Sequence, residues 1–119
     1  MLGTFLVEPQ STDISRILQR TSSGTSGWSY TLASQLTNIA RFYGFDGWLI
    51  NIEKTFPITD WNLLRLEGFL KQLRTTFNDG CVIFYDSLTC KNRIDYQNAL
   101  TEQNLIFAKA AGSILTNYA

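Results

Sequence analysis

An amide and a carboxylic acid stand two residues apart at the end of one apolar run. The run is Phe45-Asp46-Gly47-Trp48-Leu49-Ile50-Asn51-Ile52-Glu53, and its near-continuous apolar character predicts a parallel strand covered on both faces. Side chains alternate along a strand, so Asn51 and Glu53 point to the same side, roughly 7 Å apart. Polar groups at the carboxyl end of such a strand are the usual layout of a barrel active site. We therefore place the chemistry at this pair.

The composition excludes several other kinds of site. The 119 residues contain no histidine, which removes Ser-His and Cys-His nucleophilic schemes and the common zinc sites. The net charge is zero, so we expect neither nucleic acid nor an anionic membrane as a partner. No apolar run approaches the roughly 20 residues that span a bilayer, and residues 1–5 show no signal-peptide pattern. We therefore expect a cytosolic chain in which a carboxyl group does any proton chemistry.

Strands and helices alternate along the rest of the sequence. The apolar patterns predict strands at 2–7, 81–86 and 114–118, helices at 13–20, 29–43, 61–77 and 96–110, and a surface loop at 21–27. We expect Asp60 to cap the third helix and Gly44 to end the second, whose apolar stripe is Leu32, Leu36, Ile39 and Tyr43. The stripe of the third helix is Leu63, Leu66, Leu70, Leu73 and Phe77.

This alternation implies a parallel sheet with right-handed crossovers. Four strands fit two architectures: a small doubly wound sheet, or half of an eight-stranded barrel. A typical barrel needs roughly 250 residues, so this chain could supply only about half of one.

Polar residues end three of the predicted strands, and this coincidence points to a shared site. They are Thr4 and Glu8, Asn51 and Glu53, and Tyr85 and Asp86. A single polar residue at a strand end is common, but three neighbouring strands ending this way favour a site at that edge of the sheet. For Asp86 two interpretations stay open: it orients a neighbour at the site, or it hydrogen-bonds a strand end.

An amide beside the acid suggests a particular kind of glycosidase. The usual enzyme needs two carboxyl groups around the scissile bond, and Asn51 cannot act as nucleophile or base. A 2-acetamido sugar brings its own nucleophile, because its acetamide oxygen can attack the anomeric carbon to form an oxazoline. Glu53 could then serve as acid and base, Asn51 could hold the acetamide nitrogen, and Tyr85 could donate to the same centre.

At these residues the chain resembles the endo-β-N-acetylglucosaminidases of glycoside hydrolase family 85. The run from Phe45 to Glu53 is similar to that family's active-site strand. Further collinear blocks agree: Leu2-Gly3-Thr4-Phe5-Leu6-Val7-Glu8, Tyr85-Asp86-Ser87-Leu88-Thr89, Tyr96-Gln97-Asn98 and Asn117-Tyr118. The run also shares the spacing of the chitinase motif Asp-Gly-x-Asp-x-Asp-x-Glu, but Leu49 and Asn51 replace its two middle aspartates, which argues against a chitinase.

The resemblance implies cleavage between the two core N-acetylglucosamines of an N-linked glycan, high-mannose glycans among them, with retention of configuration. It assigns acetamide orientation to Asn51, acid/base work to Glu53 and support of the intermediate to Tyr85, with no metal or cofactor. The residues that we expect to contact substrate are Tyr96, Asn117, Asp86 and Glu8. The sequence departs from the family at Tyr96, where the family has tryptophan, and at Pro9, where an aromatic residue is expected.

The fold class that the resemblance implies is α/β, with parallel β/α units like about half of a TIM (β/α)8 barrel. Residues 1–119 would form one partial catalytic barrel domain with no second domain. Besides a glycosidase, we consider a catalytically inactive truncated fragment or a carbohydrate-binding remnant. A further alternative is one half of a barrel that assembles with a separate chain carrying the missing strands.

Overall fold

Strands joined by helices make up most of the chain. The structure is a computed structural model and describes residues 1–10, 14–22, 27–77 and 81–116. In chain order, its elements are β1 (Leu2–Val7), a 3-10 helix (Ile14–Leu18), β2 (Arg20–Ser22), β3 (Trp28–Tyr30), α1 (Thr31–Tyr43), β4 (Gly47–Ile52), α2 (Leu63–Thr76), β5 (Cys81–Tyr85), α3 (Leu105–Ala111) and β6 (Ile114–Leu115). No helix in these ranges is long and apolar enough to cross a membrane.

The main sheet has four parallel strands in the order β1-β4-β5-β6. Within this sheet, each strand pairs with the sheet strand that follows it in the sequence. Connections that contain helices join the strands, as in a β/α barrel. This confirms the predicted α/β class. Strands β2 and β3 form a separate antiparallel pair that was not predicted. Strand β2 overlaps the start of the loop predicted at 21–27, and β3 overlaps the start of the helix predicted at 29–43.

The two faces of the main sheet differ in their environment. The face that packs on the helices is the more buried one, with Ile50, Ile52 and Phe84 at 0% exposure. On the opposite face, Leu6 is 43% and Leu115 is 46% exposed. Parallel sheets are normally covered on both faces. The residues that would line a barrel interior are therefore accessible in this chain.

Helix α2 is the element that the sequence predicts best. Leu66, Leu70 and Leu73 of the predicted stripe are buried, together with Phe69. The capping prediction was wrong, because Asn62 and not Asp60 accepts from the main-chain N–H of Arg65, at 3.1 Å. The carboxylate of Asp60 instead accepts from the hydroxyl of Ser15, at 2.8 Å.

Helix α1 buries a different stripe from the predicted one. Its buried residues are Ala33, Leu36, Thr37 and Ala40, whereas Ile39 and Tyr43 are exposed. The Trp48 indole N–H donates to the carbonyl of Leu36 at 3.0 Å, which connects the helix to β4. Gly44 ends the helix in the left-handed conformation, with φ 76°, as predicted.

The helix predicted over residues 96–110 is much shorter in the structure. Only α3, from Leu105, is helical, because residues 96–104 are bonded to other parts of the fold. Asn98 has a φ of 60°, and its N–H donates to the Asp86 carboxylate at 2.7 Å. The side chain of Asn104 accepts from Thr101 N at 2.9 Å, which competes with helix formation.

The remaining predictions concern chain ends and turns. The helix predicted at 13–20 is a 3-10 helix that buries Ile14, Ile17 and Leu18. The last strand is described only over Ile114–Leu115. Asn78-Asp79-Gly80, predicted to end α2, and Asn117-Tyr118 lie outside the described residues.

Two leucines of α2 provide a matched test of this packing. Leu66 is 0% and Leu64 is 69% exposed. We expect Leu66→Ala to lower the free energy of unfolding by about 3 kcal/mol, since it leaves a cavity in the core. The exposed Leu64→Ala should change it by less than about 0.5 kcal/mol. Urea unfolding of both variants checks this, and equal losses would contradict the helix orientation.

Candidate active site

The predicted catalytic residues lie on the open face of the sheet. Asn51 belongs to β4 and Tyr85 to β5. In the register that pairs Ile50 with Phe84, Asn51 and Tyr85 are the next residues along their strands. Because Ile50 and Phe84 face the helices, the two polar side chains point the other way. Glu53 follows the end of β4, with its main-chain N–H bonded to the carbonyl of Val7 at 2.8 Å.

The Glu53 carboxyl group has a different donor at each oxygen. The Asn51 side-chain nitrogen Nδ2 donates to Oε1 at 3.2 Å. The Tyr96 hydroxyl lies 3.4 Å from Oε2 and donates to it. Glu53 is only partly buried. The structure therefore brings together Asn51, Glu53 and Tyr96, which come from a strand, a strand end and a distant loop.

The oxygen of the Asn51 side-chain amide lacks a hydrogen-bond partner in the described part of the site. This atom, Oδ1, is buried. An ionised carboxylate only accepts hydrogen bonds, so the amide must turn its NH₂ to Glu53 and its oxygen away. An unsatisfied buried acceptor is unfavourable, and a ligand N–H can satisfy it.

Tyr85 lies beside this group as a neutral donor. Burial, followed by the nearby Tyr96, Glu53 and Asp86, raises the pKa of the Tyr85 phenol above its usual value. The phenol therefore keeps its proton at neutral pH. The rings of Tyr85 and Tyr96 meet edge to face, with centroids 6.2 Å apart.

Asp86 is only 1% exposed and supports the loop that carries Tyr96. One oxygen of its carboxylate accepts from Asn98 N at 2.7 Å, and the other accepts from Asn104 Nδ2 at 3.1 Å. The side chain thus bonds two points of the segment between β5 and α3. Neither Asn98 nor Asn104 was a predicted site residue, so the two interpretations of Asp86 given above both stay open.

Asn92 is a structural residue of the site that the sequence analysis did not identify. It has a φ of 59° in the turn of a short hairpin in which Leu88 bridges Ile94. Its side chain accepts from Phe56 N at 2.7 Å and donates to Phe56 O at 2.8 Å. Asn92 thereby joins the loop after β5 to the loop after β4. Only its place in a polar turn could have indicated it, since asparagine tolerates positive φ.

Of the other predicted residues, Glu8 follows the strand next to β4 and Asn117 falls outside the described residues. Glu8 follows β1, is partly buried, and accepts from the side chain of Gln10. Asp46 precedes β4 and is therefore at the opposite end of that strand from Glu53. Over the described part of the chain, no three His, Cys, Asp or Glu side chains are grouped to hold a metal ion.

Parallel β/α units with polar side chains at the carboxyl ends of their strands have the layout of the β/α-barrel enzymes. The family model of glycosyl hydrolase family 85 matches residues 1–119. The chain belongs to that family.

Named relatives and a solved structure agree with this assignment. The chain is 34% identical over 120 residues to the cytosolic endo-beta-N-acetylglucosaminidase of Mus musculus. It is 33% identical over 122 residues to the cytosolic endo-beta-N-acetylglucosaminidase of Gallus gallus. Each alignment covers 99% of this chain. Its fold is similar to the glycoside hydrolase domain of Endo-D from Streptococcus pneumoniae, with a TM-score of 0.68, 22% identity and 85% of this chain covered.

The chain is short relative to these proteins. It spans 16% of the length of the mouse and chicken relatives and 17% of the Endo-D chain. The similarity therefore covers one part of a larger barrel enzyme, the part that contains the strand with Asn51 and Glu53.

Asp86 can be tested against a nearby carboxylate. We expect Asp86→Ala to lower the free energy of unfolding by about 3 kcal/mol, because it leaves Asn98 N and Asn104 Nδ2 without their charged acceptor. Asp95→Ala, at an exposed position of the same loop, should cost less than about 0.5 kcal/mol. Chemical unfolding measures both. Similar losses for the two variants would show that the Asp86 contacts contribute little.

Proposed function

We propose that this chain provides the acid/base part of an endo-β-N-acetylglucosaminidase acting on N-linked glycans, high-mannose glycans among them. The bond cleaved joins the two core N-acetylglucosamine residues. One observation carries the proposal: Asn51 donates to Glu53 through Nδ2 and keeps a buried, unpaired Oδ1. An acetamide N–H held at Oδ1 would lie next to the acid. The proposal is supported by the family membership and by the names of the relatives.

The first step forms an oxazolinium ion, the protonated oxazoline, in which the acetamide nitrogen keeps its proton. The acetamide carbonyl oxygen attacks the anomeric carbon while the bond from that carbon to the glycosidic oxygen breaks. Glu53, protonated, gives its proton to the departing oxygen. Asn51 Oδ1 accepts from the acetamide N–H, which becomes more acidic as the oxazolinium ion forms. That hydrogen bond strengthens in the transition state, the condition for it to raise the rate.

The second step returns the sugar with its original configuration. Water attacks the anomeric carbon from the face that the leaving group occupied, and the carboxylate of Glu53 takes one of its protons. The bond from the anomeric carbon to the acetamide oxygen breaks, and the acetamide is restored. Two inversions give net retention. The phenol of Tyr85 is neutral at neutral pH, and burial raises its pKa further. It can donate to the acetamide oxygen as charge changes there.

We also propose that the open face of the main sheet is covered by further β/α units. Leu6, Leu49, Ile83 and Leu115 lie on this face, and the first and last of them are more than one third exposed. Apolar strands from the rest of a barrel would cover these side chains and pair with the outer edges of β1 and β6. The missing units belong to the same polypeptide or to a separate one. The names of the relatives suggest the cytosol as the site of action.

A second candidate function is a catalytically inactive remnant that only binds carbohydrate. The exposure of Leu6 and Leu115 favours the loss of activity, since an open sheet face does not exclude water from the site. A single experiment separates this candidate from the enzyme.

The experiment measures glycan release from a high-mannose glycopeptide, with Glu53→Gln as the control because it keeps the shape of the side chain without its acid. Release that falls by at least about a thousandfold in the control is the expected result, since acid/base and nucleophile positioning act together. The chain is assayed alone and after addition of a polypeptide carrying the remaining barrel units.

Each outcome bears on one proposal. Release only after addition supports both the chemistry and the assembly. Release by the chain alone supports the chemistry and contradicts the need for further units. Equal release by the wild type and Glu53→Gln contradicts the role of Glu53. Binding of the glycopeptide without release in either sample favours the remnant.

A further inference from the structure

We propose that Tyr96 is a positioning residue for Glu53, acting through its hydroxyl group and not only through its ring as a sugar platform. This inference rests on the proposed acid/base role of Glu53. The hydroxyl lies 3.4 Å from Oε2 of the carboxyl group, while Asn51 occupies Oε1. The phenol thus completes the pair of donors around the acid.

The two donors give the two carboxyl oxygens of Glu53 different roles. Asn51 is held in a central strand, so Oε1 is permanently occupied. Tyr96 is more exposed and belongs to a loop, so its hydroxyl can give way to another oxygen. Oε2 is therefore the oxygen that carries the proton in the acid form and faces the departing glycosidic oxygen. After the proton has left, the Tyr96 hydroxyl donates to Oε2 and stabilises the carboxylate that then activates water.

Two contacts fix the segment that carries Tyr96. Upstream, the Asn92 side chain makes a pair of hydrogen bonds with the backbone of Phe56, at 2.7 and 2.8 Å. Downstream, Asn98 N donates to the buried Asp86 at 2.7 Å. Tyr96 lies between these anchors, and its ring meets the edge of Tyr85. These contacts hold the loop in the position that brings the Tyr96 hydroxyl to Glu53. The contact between the two side chains therefore depends on the anchored loop and not on the surface alone.

Other titratable groups lie near Glu53, and a variant that tests Tyr96 must leave these side chains unchanged. They are Tyr85 on β5, which senses the charge of Glu53, Glu8 after the neighbouring strand β1, and Lys54, which is next in the chain. Replacing Tyr96 by phenylalanine removes a single oxygen and leaves all three in place.

The test is a titration of the Glu53 carboxyl carbon by NMR on the whole 119-residue chain, labelled with ¹³C at glutamate. The Glu53 signal is the one that disappears in Glu53→Gln. We expect Tyr96→Phe to raise the midpoint of this titration by about 0.5 to 1 pH unit, since a lost donor disfavours the charged form. Tyr43→Phe is the matched control, because Tyr43 is exposed and lies in α1, and it should leave the midpoint unchanged.

A midpoint in Tyr96→Phe equal to that of the wild type and of Tyr43→Phe would overturn the inference. The titration needs no catalysis, so it decides the role of Tyr96 even if glycan release is absent and the proposed function fails. Where release is measured, Tyr96→Phe should lower kcat about tenfold with KM within about twofold, the change expected for one lost hydrogen bond. The alkaline limb of its pH profile should move to higher pH. A raised KM with an unchanged midpoint would also overturn the inference, because the hydroxyl would then contact substrate and not the carboxyl group of Glu53.

Discussion

The site depends on the alternation of side chains along β4, which is paired on both sides by parallel strands. Ile50 and Ile52 face the helices and are fully buried, so Asn51 and Glu53 must face the other way. A shift of one residue would place the amide and the acid in the core and expose the isoleucines, which is strongly unfavourable. Hydrophobic burial on one face thereby fixes the polar groups on the other.

The second requirement is the loop between β5 and α3. Residues 86–104 have little regular structure, and side chains organise them instead. The buried carboxylate of Asp86 bonds two asparagines of the loop, and Asn92 attaches its hairpin to the neighbouring loop. These contacts place Tyr96 next to Glu53. The site therefore consists of strand residues, positioned by the sheet, and one loop residue, positioned by buried polar contacts.

The sequence predicted those features that depend on local periodicity. The main strands, the buried leucines of α2 and the end of α1 at Gly44 follow from patterns within a few residues. The common face of Asn51, Glu53 and Tyr85 follows from alternation in adjacent parallel strands. The predicted α1 stripe was correct at Leu36 but wrong at Ile39 and Tyr43, because large residues were preferred over the buried Ala33 and Ala40.

Features that depend on contacts between distant residues could not be predicted from the sequence. The segment 96–104 has helix-compatible spacing, but its hydrogen bonds to Asp86 overcome that preference. Asn62 replaces Asp60 as the helix cap because Asp60 bonds Ser15 from another element. The pairing of Asn92 with Phe56 joins residues 36 positions apart, and no local pattern marks it.

The proposed mechanism requires Asn51 to hold the acetamide of an N-acetyl sugar beside Glu53. The most direct measurement is calorimetric binding of a stable thiazoline analogue of the oxazoline to the wild type, Asn51→Ala and Leu64→Ala. The account predicts binding by the wild type and by the surface control, with affinity at least about tenfold lower in Asn51→Ala, the loss expected for one buried hydrogen bond. Equal affinity for all three proteins would contradict it.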